Sequence, residues 1–137
     1  MKRVYVASAS SPAGQARARA IMERLRAAGV EVTSDWLEVI AANGGANPRG
    51  EEHHQTCRTA ALGNKQAIKR ADILWMLVPE DAPGRGAYYE AGVADVLGKH
   101  LVFSGDCDQS VFCASGAEFD NDDAAFDHVL QYARHSS

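Results

Sequence analysis

Short β-rich runs alternating with helix-patterned stretches predict an α/β protein. The expected architecture is one doubly wound, parallel, five-stranded sheet with helices on both faces. Three observations carry this. Residues 72–78 (Asp-Ile-Leu-Trp-Met-Leu-Val) are almost wholly apolar, as a strand covered on both sides must be. Stretches with apolar residues spaced near 3.6 precede and follow that run. Glycines stand where those stretches should stop, at Gly29 and Gly98.

Taken in order, Val4-Tyr5-Val6-Ala7 reads as the first strand, and the serine-rich residues 8–14 as a turn. A helix is expected over about 15–28, with the apolar positions Ala20, Ile21, Leu25 and Ala28 recurring at spacings near 3.6. Val30, Val32 and Thr33 form a second short strand. Residues 37–52, with Gly44-Gly45, Asn47-Pro48 and Gly50, read as a loop holding at most a helical turn. The next helix runs from about Glu51 or His54 to Arg70, with Ala60, Ala61, Ala67 and Ile68 inward, and leads into the central strand. Pro79 ends that strand, Gly84-Arg85-Gly86 makes a tight loop, and a helix covers about 87–97. Leu101-Val102-Phe103 is the fourth strand, and a fifth is expected within 110–114. Asn121 caps a last helix that Asp122 and Asp123 favour through its dipole. This is the flavodoxin-like or Rossmann-like pattern, in which ligands sit beyond the carboxyl ends of the strands. The loops 8–14, 79–86 and 104–109 should therefore meet.

Composition narrows the function classes. A chain of 137 residues is expected to form one domain with one core. Its net charge of −4 argues against a general nucleic-acid binder. The arginines of the first helix (Arg17, Arg19, Arg24 and Arg26) read as a solvated face. Cys57, Cys107 and Cys113 make no Cys-x-x-Cys, which supports neither a disulfide framework nor a zinc ribbon. His53, His54 and Cys57 are too few for a metal site, so no metal is expected. No apolar run approaches the ~20 residues that span a bilayer. The N-terminus enters a strand at once, without a leader pattern, so a cytoplasmic location is expected.

The stretch Gly84-Arg85-Gly86-Ala87-Tyr88-Tyr89-Glu90-Ala91-Gly92 is the most informative in the chain. It follows the central strand and opens a helix, so backbone N–H groups face the expected crevice. Glu90 lies about one turn in, where the dipole should favour its ionised form and suit it to nucleophilic work. Gly86 and Gly92 allow a close approach by a ligand or helix. From the residues alone, Glu90 reads equally well as an ordinary early-helix glutamate.

Three segments in order resemble the nucleoside 2-deoxyribosyltransferase superfamily, which includes the deoxynucleoside 5′-monophosphate N-glycosidases. They are Val4-Tyr5-Val6-Ala7-Ser8, then Ile68-Lys69-Arg70-Ala71-Asp72-Ile73-Leu74, and then residues 86–99. The last carries a glycine, the glutamate, a further Gly two residues on, and Val96-Leu97-Gly98-Lys99 before the next strand. The resemblance implies that Glu90 attacks an anomeric carbon and that Tyr5 stands near it. Base or water then resolves the glycosyl-enzyme. It implies no cofactor, a nucleoside or nucleotide as the small-molecule partner, no nucleic-acid polymer or membrane, and a homodimer or larger homo-oligomer. Ser110, Ser115 or Asn121 would complete a neighbouring subunit's site.

The chain also departs from that pattern. Where the family usually has an acid to protonate the leaving base, this chain has Asn64. Six residues before the nucleophile it has Gly84, and Asp81 in the same loop is a candidate substitute. Arg85 fits either a clamp on phosphate or a solvent-facing loop residue. Ser8, Ser10 and Ser11 fit either a phosphate cradle or helix capping. Trp36 is a candidate for stacking a base, while Trp75 belongs to the core. Two other readings stay open: a nucleotide-binding or sensory module without turnover, and a Toll-receptor-like glycohydrolase of nicotinamide dinucleotide.

Overall fold

The computed structural model describes residues 1–135. Its strands are β1 (Val4–Ala7), β2 (Ile73–Leu77), β3 (His100–Ser104) and β4 (Ala117–Phe119). Its helices are α1 (Pro12–Ala27), α2 (Trp36–Ala42), α3 (His54–Arg70), α4 (Arg85–Val96) and α5 (Asp122–Arg134). The strands pair in parallel in the order β1-β2-β3-β4. All five residues of β2 are buried, as its unbroken apolar run requires of a strand covered on both faces. Around it lies a hydrophobic cluster that includes Val4, Ile21, Leu25, Ile68, Trp75 and Val129.

The sheet has four strands where five were expected. The segment around Val32 reaches β1 only as a single parallel bridge, Val4 to Val32. Its polar follow-on explains why pairing stops. Ser34 Oγ accepts from Val6 N at 3.1 Å, and Trp36 Nε1 donates to Val6 O at 2.9 Å. Side chains thus satisfy the β1 edge that a longer strand would have used. With that segment outside β1, the spatial order is the one expected of a doubly wound sheet, with its switch point between β1 and β2.

The last strand also lies further along than expected. Residues 110–114 were read as a strand, but Val111–Ser115 is a 3-10 turn, capped by Ser110 Oγ accepting from Phe112 N at 3.2 Å. Val111 and Phe112 are 84 % and 70 % exposed, so their apolar character does not mark burial here. The strand begins after Gly116, whose backbone lies so close to β3 that a Cβ would come within 2.6 Å of Leu101 O. Where residues 37–52 were expected to hold at most a helical turn, the chain instead forms the seven-residue helix α2, which begins at Trp36 and buries Trp36 and Ile40. Helix α1 starts earlier than expected because Ser11 caps it, accepting from Gly14 N, with Pro12 at its first position.

Arg17 corrects the reading of the first-helix arginines as a solvated face. Its guanidinium donates to Val78 O at 2.6 Å and Ser104 O at 3.1 Å. It also grips both oxygens of Asp122, each at 2.8 Å. Ser104 Oγ donates to Asp122 at 2.7 Å and accepts from Trp75 Nε1 at 2.8 Å. Burial alone would raise the Asp122 carboxyl, but the hydrogen bonds from Arg17 and Ser104 outweigh it and hold it below its ordinary value. By contrast Arg24, which pairs with Asp123 at 2.8 Å, is exposed. Removing one partner of the enclosed pair leaves the other uncompensated. Arg17→Ala should therefore lower the unfolding free energy in urea by about 3 kcal/mol. Arg24→Ala should cost under about 1 kcal/mol in the same measurement.

Candidate active site

At the switch point, a pocket of about 560 Å³ opens between the loop after β1 and the start of α4. Gly84 makes that start possible. Its φ is +63°, and a Cβ there would fall 2.0 Å from Pro79 Cγ, so only glycine turns the chain into the helix. Arg85, Gly86 and Glu90 follow on α4 and line the pocket.

Glu90 lies deep in this pocket, where α4 crosses β1. The Tyr5 hydroxyl, from a strand residue with no exposed surface, donates to Glu90 Oε2. The chain thus brings together two residues eighty-five positions apart that the sequence put forward as catalytic. Burial pushes the Glu90 carboxyl up to about 7, against the Tyr5 hydrogen bond, which pulls it down. This reverses the expectation that the helix dipole keeps Glu90 ionised. Glu90 sits beyond the first turn of α4, where the dipole fades, and desolvation dominates. Burial and then the Glu90 charge raise the Tyr5 phenol far above its ordinary value, so it stays a neutral donor.

The other expected site residues divide. Ser8, Ser10, Trp36, Asn64, Gly84, Arg85 and Gly86 all line the same pocket as Glu90. Ser8 Oγ is already committed to the carbonyls of Ala9 and Gly14, at 2.9 and 3.0 Å, which is a turn-holding role. Ser10 Oγ accepts from Asn47 Nδ2 at 2.8 Å. Trp36 is buried and fixed to Val6 O, so it forms a wall of the pocket. Asp81 does not line the pocket; it accepts from Ser11 Oγ at 3.0 Å and borders a smaller hollow beside Arg17. As the substitute acid it is therefore displaced from Glu90.

Two cations were missed in the sequence. Arg49, from the loop after α2, and Lys65, beside Asn64 on α3, line the pocket together with Arg85. Among the described residues lining it, Glu90 is the sole carboxylate. The Asn47-Pro48-Arg49-Gly50 turn was the available signal for Arg49, and adjacency to Asn64 was the signal for Lys65. Such a pocket can hold an anion at its rim and place a carboxylate against an electrophilic carbon at its base. Among the described residues no three His, Cys, Asp or Glu side chains gather to hold a metal. No described helix is long and apolar enough to cross a membrane.

The architecture recurs in solved structures. A conserved protein from Enterococcus faecalis V583 superposes with a TM-score of 0.63 at 14 % identity, over 96 % of both chains. The Clostridium botulinum CMP N-glycosidase BcmB superposes with a TM-score of 0.54 at 18 % identity, over 96 % of this chain and 97 % of that one. At these identities the likeness establishes a shared fold, and the resemblance drawn from the residues is met at that level. No family model and no curated protein matches the chain.

The burial of Glu90 has a consequence for stability. The folded protein holds the Glu90 proton until about pH 7, whereas the unfolded chain releases it near 4.5. Stability therefore falls as pH rises between those values. Glu90→Gln, which retains an acceptor for Tyr5, should stabilise the protein at pH 8 by about 2 to 3 kcal/mol and make no difference near pH 4. Chemical denaturation at the two pH values checks both halves.

Proposed function

We propose that this protein breaks or exchanges the N-glycosidic bond of a (deoxy)nucleoside or nucleoside 5′-monophosphate, with Glu90 as the nucleophile. The observation that carries the reading is the Glu90 carboxyl, buried at the base of the switch-point pocket and held by the neutral Tyr5 hydroxyl. The ionised carboxylate attacks the anomeric carbon. The carbon–nitrogen bond breaks, and its electron pair leaves with the base. Water or a second base then attacks the same carbon and frees Glu90. Tyr5 is a positioning residue that fixes which carboxylate oxygen faces the sugar. The shared fold with a CMP N-glycosidase supports the same chemistry.

Charge favours a phosphorylated substrate. Arg49, Lys65 and Arg85 outnumber the single carboxylate, and Arg85 stands at the first position of α4, where backbone N–H groups also attract anions. The reading needs neither metal nor organic cofactor and treats residues 1–137 as one domain.

One observation favours a second reading, a nucleotide-binding or sensory module without turnover. Asn64 lines the pocket where an acid is expected, and no other described carboxylate lies there to protonate the leaving base.

The purified protein, incubated with nucleosides, deoxynucleosides and their 5′-monophosphates, should release free base, monitored by chromatography. Glu90→Ala should reduce release about ten-thousandfold. Binding of a nucleotide with no release from any substrate would favour the second reading. Because only the ionised carboxylate attacks, kcat/KM should fall about tenfold per pH unit below about 7 and level off above it. A pH–rate profile flat down to pH 5 would overturn the assignment of Glu90.

A further inference from the structure

A base that leaves a sugar carries away the electron pair of the broken bond. A neutral purine or pyrimidine therefore departs as an anion unless a proton reaches it in the same step. Among the described residues lining the pocket, Glu90 is the sole carboxylate, and its ionised form is committed to the anomeric carbon. Arg49 and Arg85 cannot supply the proton, because a guanidinium does not give one up at neutral pH. Lys65 is the lining cation that can: an ammonium becomes a neutral amine and can later be protonated again.

We infer that Lys65 is the general acid that protonates the leaving base, an inference that rests on the glycosidic reading of the pocket. Ala61, Asn64, Lys65 and Ile68 all line the pocket, and their spacing puts them on one face of α3. Ala61 and Ile68, with Trp36, give a flat ring an apolar bed, and Asn64 offers one acceptor and two donors to its polar edge. The phosphate has a separate place at the first positions of α4, where Arg85 and backbone N–H groups attract anions. The half-buried Lys65 ammonium lies 5.8 Å from the centre of the ring of Tyr89, the residue before Glu90. Among the described residues no carboxylate pairs with it. As Glu90 attacks, the carbon–nitrogen electron pair moves onto the base, and a Lys65 proton passes to a nitrogen or carbonyl oxygen of that base. Lys65 is left a neutral amine. When water attacks the glycosyl-enzyme, its proton returns to that amine, its hydroxyl stays on the anomeric carbon, and Glu90 departs as a carboxylate.

Steady-state base release by the full chain tests this, with cytidine and adenosine 5′-monophosphates and their 2′-deoxy counterparts as probes. Lys65→Gln should lower kcat about a hundredfold, with KM changed less than about threefold. Lys65→Arg keeps the charge without a transferable proton, so it should be as slow as Lys65→Gln. Added methylamine should restore part of the release in Lys65→Ala, which only a folded pocket lacking its amine can show. Lys65→Arg at the wild-type rate, a loss confined to KM, or no restoration by methylamine overturns the assignment. An equal loss in Tyr89→Phe overturns it too, by moving the proton to the phenol. A Lys65→Gln variant as fast as a wild type that releases base removes Lys65 and leaves the Glu90 reading standing. A wild type that releases no base from any probe removes both.

Discussion

The Arg17 guanidinium closes the carboxyl edge of the sheet, donating to the carbonyls of Val78 and Ser104 while pairing with Asp122. A fully buried parallel sheet leaves backbone groups without partners where its strands end, and those groups must be satisfied. One side chain from α1 meets that demand after β2 and β3, and through Asp122 it fixes the start of α5. Side chains do the corresponding work at β1, where Ser34 and Trp36 serve Val6. With the edge settled, the crevice between β1 and β2 holds its shape, and the loop after β2 can turn at Gly84 into α4.

That turn places an acidic side chain where water is scarce. Two effects act on Glu90 in opposite directions, and burial is the larger. A carboxyl free in solvent would be fully ionised at neutral pH and well hydrated. Here it is poised between its two forms, with one oxygen fixed by a phenol that does not itself ionise. Such a group has lost the hydration that would blunt attack on an electron-poor carbon. The same burial weakens the fold at high pH, as expected when an ionisable side chain is held away from water.

Much of the fold could be read from local pattern. The 72–78 run, the glycine stops and the Asn121 cap each report a preference that the tertiary structure keeps. The pairing of Tyr5 with Glu90 was reached through a motif resemblance, since periodicity alone leaves Glu90 indistinguishable from any early-helix glutamate. What escaped were features decided by long-range contact. Arg17 looks like its solvated neighbours until Asp122 folds against it from across the sheet. Val111 and Phe112 look like a strand because apolar residues are ordinarily buried, and these are exposed. Arg49 and Lys65 enter the pocket only because α3 and the loop before it close over it. The shortened strand at Val32 follows from two polar side chains substituting for backbone, which no period in the sequence encodes.

The central claim is that burial in this pocket, opposed by the Tyr5 hydroxyl, sets the ionisation of Glu90 near neutrality. Carboxyl-carbon NMR of the protein labelled at glutamate, titrated with pH and assigned through Glu90→Gln, measures it directly. The account predicts one glutamate with a midpoint near 7 that is missing from the Glu90→Gln spectrum and moves higher in Tyr5→Phe. A spectrum in which every glutamate titrates near the ordinary value of 4.5 would contradict it.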